Sequence, residues 1–241
     1  MEYRIFENDR MAAEKIVLEM TAIMHKKEHP LFCLAAGHTS LPVFALMIAY
    51  QNKGIADFTE CYYVGLDEWS GMDAQDQGSC RYFMDENLFR PLGINQNHIW
   101  FYDGKANLKE ECVRIDQVIN HLSRIDYMLL GVGLNGHLGL NEPNVDFMKR
   151  SLYVELDSVT KEVGQKYFEK ATSLNGGITL GWETISEYTD EVVLLVTGAH
   201  KQEILEKILT EPVDKNLPAS YIRTLKSAKL YADKAAVDGK L

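Results

Sequence analysis

The chain has 241 residues, and its 25 Lys and Arg against 35 Asp and Glu give a formal net charge of −10 at pH 7. This acidic balance, with no run of like charge, disfavours nucleic acid and anionic membranes as partners. No apolar run approaches the roughly 20 residues of a membrane span and the polar first residues do not resemble a signal peptide, so the sequence predicts a cytoplasmic protein, built as one domain over residues 1–241.

Apolar residues at helical spacing, among them Ile16, Met20 and Met24, predict a first amphipathic helix, and the apolar run 31–35 predicts a first strand. Helical patterns such as 108–122 and 202–209 separate most of the later strand-like runs, which lie at 61–66, 99–102, 125–131, 152–156, 192–196 and 229–232. Because parallel strands need long crossovers, this alternation predicts a Rossmann-like, doubly wound α/β fold, with a mostly parallel sheet and helices on both faces. In such sheets ligands bind beyond the carboxyl ends of the strands, so the loops after the strands are the candidate sites.

The loop after the first predicted strand reads Ala-Ala-Gly-His-Thr-Ser over residues 35–40, and a helix is expected to begin near Pro42. A small, hydroxyl-rich turn before a helix offers free N–H groups and the positive end of the helix dipole, which suits a phosphate group. The same residues also fit an ordinary turn in which Ser40 is the N-cap. The segment alone favours neither interpretation.

Two acids, Asp67 and Glu68, follow the predicted strand at 61–66. A carboxyl group at the end of a strand can reach a ligand, and partial burial raises its pKa toward that of a useful base. Acids after strands are also common as solvated surface charges. The position therefore indicates a candidate catalytic acid only in combination with other residues.

The glycine-rich loop at residues 131–143 is the most informative segment, Gly-Val-Gly-Leu-Asn-Gly-His-Leu-Gly-Leu-Asn-Glu-Pro. It contains GxGxxG after a strand, with an acid about 20 residues further on, as dinucleotide-binding folds do. Gly139, Asn141 and Pro143 interrupt the stretch where a nucleotide-binding turn needs a helix, which argues against that use. The loop presents His137 between an amide and a carboxylate, the components of an oriented acid–base group, although a lone loop histidine is more often structural or solvated.

Lys201 follows the predicted strand at 192–196, in the sequence Thr-Gly-Ala-His-Lys. In the first turn of a helix a cation opposes the helix dipole unless it serves an anionic ligand. Lys201 is therefore a candidate phosphate ligand, although lysines in first turns are often only solvated.

The sequence predicts neither a metal nor an organic cofactor. The four cysteines show no CxxC spacing and three lie among apolar residues, which favours reduced core thiols over disulfides or a metal site. A metal held by His137 and Glu142 would lack a third ligand nearby.

Taken in order, the segments LAAGHTSLP, GLDEW, GVGLNGHLGLNEP and LLVTGAHK resemble the glucosamine-6-phosphate deaminase family. The resemblance extends from about residue 32 to the segments LPASYIRTL and KLYADKAA near the end of the chain. The related 6-phosphogluconolactonases do not usually follow their GxxxxGH segment with NEP, so residues 141–143 favour the deaminases. The family includes galactosamine-6-phosphate isomerases, and the GSCRYF segment at 78–83 is similar to that branch, so the sugar stays open.

This resemblance implies a cofactor-free enzyme that isomerises an amino-sugar 6-phosphate to a ketose 6-phosphate and releases ammonia. A small sugar phosphate would be its partner, and the oligomeric state stays open. By similarity, Asp67 matches the acid that carries a proton between C2 and C1, and His137 matches the base that opens the ring. Asn135 and Glu142 match the positions that orient this imidazole. The family's phosphate-binding elements match Gly37, His38, Thr39, Lys166 and Lys201.

Two positions depart from the family pattern. Some members have Asp at the position of Asn135, so the His137 cluster here carries one negative charge fewer. Where members place a phosphate-binding Arg before an aromatic pair, this chain has Lys166 before Tyr167 and Phe168, which exchanges a bidentate contact for a point charge.

Three other functions stay open. In a lactonase, His137 would activate water against a sugar lactone. A non-catalytic sugar-phosphate sensor could use the same fold, but it would need no acid–base pair, so the presence of Asp67, His137 and Glu142 argues against it. A nicotinamide oxidoreductase is disfavoured by the residues that interrupt a helix after the glycine-rich loop.

Overall fold

The computed structural model describes residues 1–237 and contains a seven-stranded sheet in which every neighbouring pair is parallel. A three-stranded antiparallel sheet accompanies it. The strands are β1 Glu2–Phe6, β2 Leu31–Leu34, β3 Tyr62–Val64, β4 Asp67–Trp69, β5 Ile99–Trp100, β6 Ile125–Leu130, β7 Ser151–Glu155, β8 Gly176–Leu180, β9 Thr189–Val196 and β10 Ala228–Asp233.

The parallel strands are arranged in the order β1-β10-β9-β6-β2-β3-β5. From β2 the chain winds outward through β3 to β5, and it then returns to β6 and winds the other way through β9 and β10. The order therefore reverses between β2 and β6, which pair directly. Loops that leave the carboxyl ends of two such strands diverge and create a crevice, so this edge of the sheet is the expected ligand site.

Helices cover both faces of the parallel sheet, which confirms the predicted doubly wound fold. The helices are α1 Asp9–Met24, α2 Leu41–Asn52, α3 Cys80–Met84, α4 Arg90–Leu92, α5 Leu108–His121, α6 Ser158–Gly164, α7 Trp182–Glu187, α8 Gln202–Thr210 and α9 Lys234–Val237. Alternate residues of β2 belong to two different apolar cores: Phe32 packs in the core that contains α1 and α2, and Cys33 in the core that contains α5 and α8. This is the period-two alternation of a strand buried on both faces.

The antiparallel sheet, in the order β4-β8-β7, corrects one sequence-based expectation. The run at 152–156 does form a strand, β7, but it pairs antiparallel with β8 and lies outside the parallel sheet. The sequence analysis did not predict β1, β4 or β8. β4 consists of two acids and a tryptophan, and β8 begins with two glycines, so neither has the apolar pattern by which a short strand is recognised.

Two further expectations concern the thiols and the membrane. All four cysteines are free, with Cys33, Cys61 and Cys80 buried and Cys112 half-buried, as expected for reduced core thiols. None of the helices within residues 1–237 is long and apolar enough to cross a bilayer.

Candidate active site

A cavity of about 400 Å³ opens at the carboxyl ends of the parallel strands, at the reversal of strand order. Its walls include residues of all four loops that the sequence analysis singled out, those after β2, β3, β6 and β9, and the segment of α6 that faces them. Asp67, His137 and Lys201, which are far apart in the sequence, all line this one cavity.

Asp67 is the first residue of β4 and pairs with Thr179 of β8. Its side chain lines the cavity although the residue is only 8 % exposed. Burial raises the pKa of Asp67 to about 6, while the neighbouring Cys80 thiol and the charge of His137 limit the rise. A carboxyl group with such a pKa can both accept and return a proton near neutrality.

The neighbouring acid, Glu68, has a different environment. It is fully buried, and its carboxylate accepts backbone N–H groups from Trp69 at 2.8 Å, Cys80 at 2.9 Å and Arg81 at 2.9 Å. Glu68 is not among the residues that line the cavity. Its contacts fasten the first turn of α3 to the strand that carries Asp67, so of the two acids only Asp67 can reach a ligand.

His137 is held through its Nδ1 atom. Thr160 Oγ1 lies 3.0 Å from Nδ1, and Glu142 Oε2 lies 3.6 Å from it. Asn135 joins these groups, because its Nδ2 donates to Glu142 Oε2 at 2.8 Å and its Oδ1 accepts the backbone N–H of His137 at 3.2 Å. With Nδ1 engaged by the protein, Nε2 is the ring nitrogen that can serve a ligand.

Glu142 contacts the His137 imidazole on its Nδ1 side. It is 5 % exposed and does not line the cavity. Although burial opposes ionisation, contacts with His137, Thr160 and Asn135 outweigh it and lower the pKa of Glu142. The ionised carboxylate can stabilise a positive charge on His137 when the ring takes up a proton.

Two glycines fit the histidine loop between its neighbours. A Cβ on Gly133 would lie 2.3 Å from the His137 ring, so only glycine allows the backbone to pass this close to the imidazole. Gly139 has φ +60°, and a Cβ there would lie 2.8 Å from Thr179 Oγ1 and 3.4 Å from Asp67 Oδ2. The loop therefore packs directly against the strand pair that carries Asp67.

Cationic and polar groups line another part of the same cavity. It includes the turn Gly37–Thr39 with Lys166 and Lys201. Lys201 Nζ donates to Val132 O at 2.6 Å, and burial together with the charge of Lys166 lowers the pKa of Lys201 to about 8. Ser40 does not cap α2 with its side chain, because a short 3-10 turn, His38–Ser40, precedes that helix. These positions are the ones the resemblance assigns to phosphate binding.

The sequence analysis assigned no role to several residues of the cavity wall, among them Thr160, Tyr167, Cys80 and His200. Thr160 follows the N-cap Asp157 of α6, and Tyr167 stacks on His38 at 5.4 Å. Cys80 is close to Asp67, and His200 precedes Lys201. His200, Tyr167 and Cys80 lay in segments already examined, whereas Thr160 comes from a stretch with no distinctive spacing.

The geometry bears on two kinds of cofactor site, a dinucleotide site after β6 and a metal site. After β6, no helix begins between residues 131 and 150, so the GxGxxG turn has no helix N-terminus for a pyrophosphate. Within residues 1–237, no group of three or more His, Cys, Asp or Glu side chains is placed to hold a metal ion.

Comparison with protein families places this arrangement in a known context. The model for glucosamine-6-phosphate isomerases and 6-phosphogluconolactonase matches residues 7–231, a range that includes every residue of the site described above. The chain belongs to this family. Its two named activities share the phosphorylated sugar but differ in chemistry, so the family alone does not select between them.

The chain is similar to a glucosamine-6-phosphate deaminase of Lachnoclostridium phytofermentans. The two sequences are 37 % identical over 199 residues, which cover 82 % of this chain and 84 % of the relative. A solved structure described as a monomeric glucosamine-6-phosphate deaminase is similar with a TM-score of 0.94 and 25 % identity, over 99 % of each chain. A 6-phosphogluconolactonase from Thermotoga maritima matches with a TM-score of 0.76 and 19 % identity, over 96 % of this chain and 98 % of the other, which shows a shared fold alone.

Proposed function

We propose that this chain converts an amino-sugar 6-phosphate and water into a ketose 6-phosphate and ammonia, in a single domain and without a cofactor. The observation that carries the proposal is that one cavity holds a buried carboxyl group, an oriented imidazole and two lysines, at Asp67, His137, Lys166 and Lys201. The relatives named as glucosamine-6-phosphate deaminases support this class of reaction. Glucosamine 6-phosphate is therefore the first substrate to test and galactosamine 6-phosphate the second.

The first step is the opening of the sugar ring by His137. This step needs a proton to leave O1 and a proton to reach O5, and one imidazole nitrogen can accept the first proton and donate the second. His137 Nε2 is available for this transfer, while Glu142, Asn135 and Thr160 hold the ring and stabilise its charged form.

The second step is the transfer of hydrogen from C2 to C1 by Asp67. One base on one face of the open chain takes the C2 proton and returns it to C1, and the carboxyl group of Asp67, with its raised pKa, suits both halves. The product is a ketose imine, which water hydrolyses to the ketose and ammonia. Oxidation at C2 balances reduction at C1, so the step needs no external electron donor or acceptor.

Lys201, Lys166 and the Gly37–Thr39 turn would bind the 6-phosphate. The chain carries a net charge of −10, so an anionic substrate is held by these local donors against a repulsive average field. The free thiols fit a reducing compartment, which supports a cytoplasmic location.

The test is a coupled assay for ammonia on both amino-sugar 6-phosphates, in the presence of a chelator. We expect ammonia and a ketose 6-phosphate in equal amounts, without loss of rate in the chelator. Activity that disappears with the chelator and returns with a divalent ion would contradict the metal-free mechanism.

The ammonia assay, together with a lactone substrate and a binding measurement, separates the alternatives. A lactonase would produce acid from a sugar lactone and no ammonia from an amino sugar. A non-catalytic sensor would bind the sugar phosphate, seen by calorimetry, without consuming it. Of these three outcomes, only ammonia release agrees with the proposal.

A further inference from the structure

Two imidazoles lie beside the two lysines of the proposed phosphate site, and both line the cavity. His38 stacks on the Tyr167 ring, with 5.4 Å between ring centroids and 21° between planes. Lys166 Nζ lies 5.0 Å from the centroid of the same tyrosine ring. His200 precedes Lys201 in a 3-10 turn, and its Nδ1 is 3.0 Å from the point a Cβ on Gly198 would occupy.

The charge of Lys166 acts unfavourably on each of the other three groups when they are charged. His38 is exposed, and its partial desolvation against the cavity wall and then the charge of Lys166 lower its pKa. His200 is exposed, but partial desolvation together with Lys201 and Lys166 lowers its pKa, against the opposing charge of the Asp233 carboxylate. Asp9 is a further carboxylate on the cavity wall. Near neutral pH the two lysines are therefore charged and the two imidazoles are mostly neutral.

We propose that His38 and His200 are phosphate ligands that take up protons as the phosphate group binds, so that this part of the cavity binds a sugar phosphate together with protons. The inference rests on the proposed function only in that the ligand is a phosphate monoester. It assigns a binding role to His200 and a titrating ring to His38, and neither depends on the reaction at C1 and C2.

The chemistry of the donors supports this assignment. A phosphate monoester carries about −1.5 to −2 charge at pH 7 and three acceptor oxygens. Lys166 supplies a point charge where an arginine would supply a planar pair of donors. Two imidazolium rings with N–H groups directed at the phosphate would restore the missing charge-assisted hydrogen bonds.

The direction of the pH dependence follows from linkage. A bound dianion favours the charged imidazoles, so their pKa values in the complex exceed those in the free protein. Protons are then taken up at pH values between the free and bound pKa, and the affinity falls as the pH rises through the bound pKa. For each linked proton the fall is at most about tenfold per pH unit. Below about pH 6 the protonation of the ligand itself opposes binding.

The experiment uses glucitol 6-phosphate, which has no carbonyl group and cannot be turned over, with glucitol as the unphosphorylated control. Calorimetry at pH 7 in buffers of different ionisation heat gives the number of protons taken up per ligand bound. We expect net uptake by the wild type, less uptake by His38→Gln and by His200→Gln, and in the double variant no more than the small fraction of a proton that Lys201, with its pKa of about 8, can take up at pH 7. His121→Gln, which changes an exposed histidine at the end of α5 outside the cavity, should match the wild type.

A second readout identifies the rings. In proton NMR the C2–H signals lost in His38→Gln and His200→Gln should move, in the wild type, toward the imidazolium position on addition of glucitol 6-phosphate and not of glucitol. Equal proton uptake by all variants, unmoved signals, or no binding of glucitol 6-phosphate at all would overturn the inference. Because no step depends on turnover, ammonia release with unchanged proton uptake would refute the inference alone, and proton-linked binding without ammonia release would refute the proposed function alone.

Discussion

The buried lysine of the proposed phosphate site predicts a specific limit to activity at alkaline pH. Burial and the nearby Lys166 lower the pKa of Lys201 to about 8, from an ordinary value of 10.5. Its ammonium group is therefore mostly present at pH 7, half present near pH 8, and reduced to about one tenth at pH 9. Since kcat/KM reports the ionisation of the free enzyme, it should fall about fivefold between pH 8 and pH 9 and approach a tenfold fall per pH unit at higher pH.

The informative perturbation is Lys201→Arg, because an arginine keeps its proton throughout this range. The variant should lose the alkaline fall in kcat/KM, even if its value at pH 7 is lower because the contact of Lys201 Nζ with Val132 O is changed. Lys201→Ala should raise KM at pH 7 by about 10- to 100-fold, the loss expected for a hydrogen bond to a charged group, and should also show no further fall from this residue.

The assay is the initial rate of ammonia release from pH 6.5 to 9.5 for each variant on the same substrate. The substrate amine also titrates in this range, but it does so identically for every variant, so the ratio to wild type isolates the enzyme group. Lys207→Arg is the matched control, since Lys207 lies on α8, the helix that directly follows Lys201, and pairs with Glu203 at 2.6 Å outside the cavity. An alkaline fall in Lys201→Arg identical to that of the wild type would refute the reasoning.

Three further predictions concern the groups that would carry the reaction. Asp67→Asn should leave the melting temperature nearly unchanged and lower kcat by roughly 100-fold or more, and near-normal turnover would remove Asp67 from the mechanism. In the wild type, kcat/KM should fall on the acid side near pH 6, the raised pKa of Asp67. His137→Gln should retain more exchange of the C1 proton of fructose 6-phosphate or tagatose 6-phosphate with tritiated solvent than it retains forward activity, because an open-chain ketose bypasses ring opening, whereas Asp67→Asn should lose both. Asn135→Asp would place a carboxylate against Glu142 Oε2, and the like charge raises the folded-state pKa of the introduced group. The melting temperature should therefore drop at pH 8 and recover at pH 5.5. Asn97→Asp, at an exposed position, is the control, and a drop independent of pH would point to packing alone.

The sequence was sufficient for six of the seven parallel strands, but not for β1, which is mostly exposed, or for most of the smaller sheet, and the reason is physical. Strands such as β2 are buried on both faces and read as continuous apolar runs. In β4, burial instead comes from partners that are distant in sequence: Glu68 is buried because backbone N–H groups of α3 satisfy its carboxylate. The pattern of a single segment does not reveal such compensation, so two adjacent acids read as a surface loop.

The same limit applies to the site. His137, Asn135 and Glu142 are close in the chain, so their cooperation could be inferred from one loop. Thr160, which contacts the His137 ring at 3.0 Å, is 23 residues away on α6. A threonine in a short helix has no distinctive sequence pattern. Its contact with His137 depends on where α6 begins, and the N-cap Asp157 fixes that position.

The antiparallel sheet helps to hold Asp67 in a fixed position relative to the loop that carries His137. Asp67 pairs with Thr179, whose hydroxyl accepts the N–H of Leu140 at 3.2 Å and lies 3.3 Å from Leu66 O, within donating distance. One threonine thus contacts both the strand of Asp67 and the loop of His137. Gly139 turns that loop just before Leu140, where a side chain would collide with the same hydroxyl.

Such a junction matters because the two proposed steps act on one substrate in sequence. Ring opening at O1 and O5 must leave C1 and C2 within reach of Asp67, and a displacement of about 1 Å between catalytic groups can cost about 100-fold in rate. The parallel sheet supplies the crevice and, through β3 and β6, the segments that lead to Asp67 and to the histidine loop. The small sheet adds direct contacts between these segments, through the Thr179 hydroxyl and through Asn141 Nδ2, which donates to Leu180 O at 2.8 Å, and so helps to fix the acid relative to the imidazole.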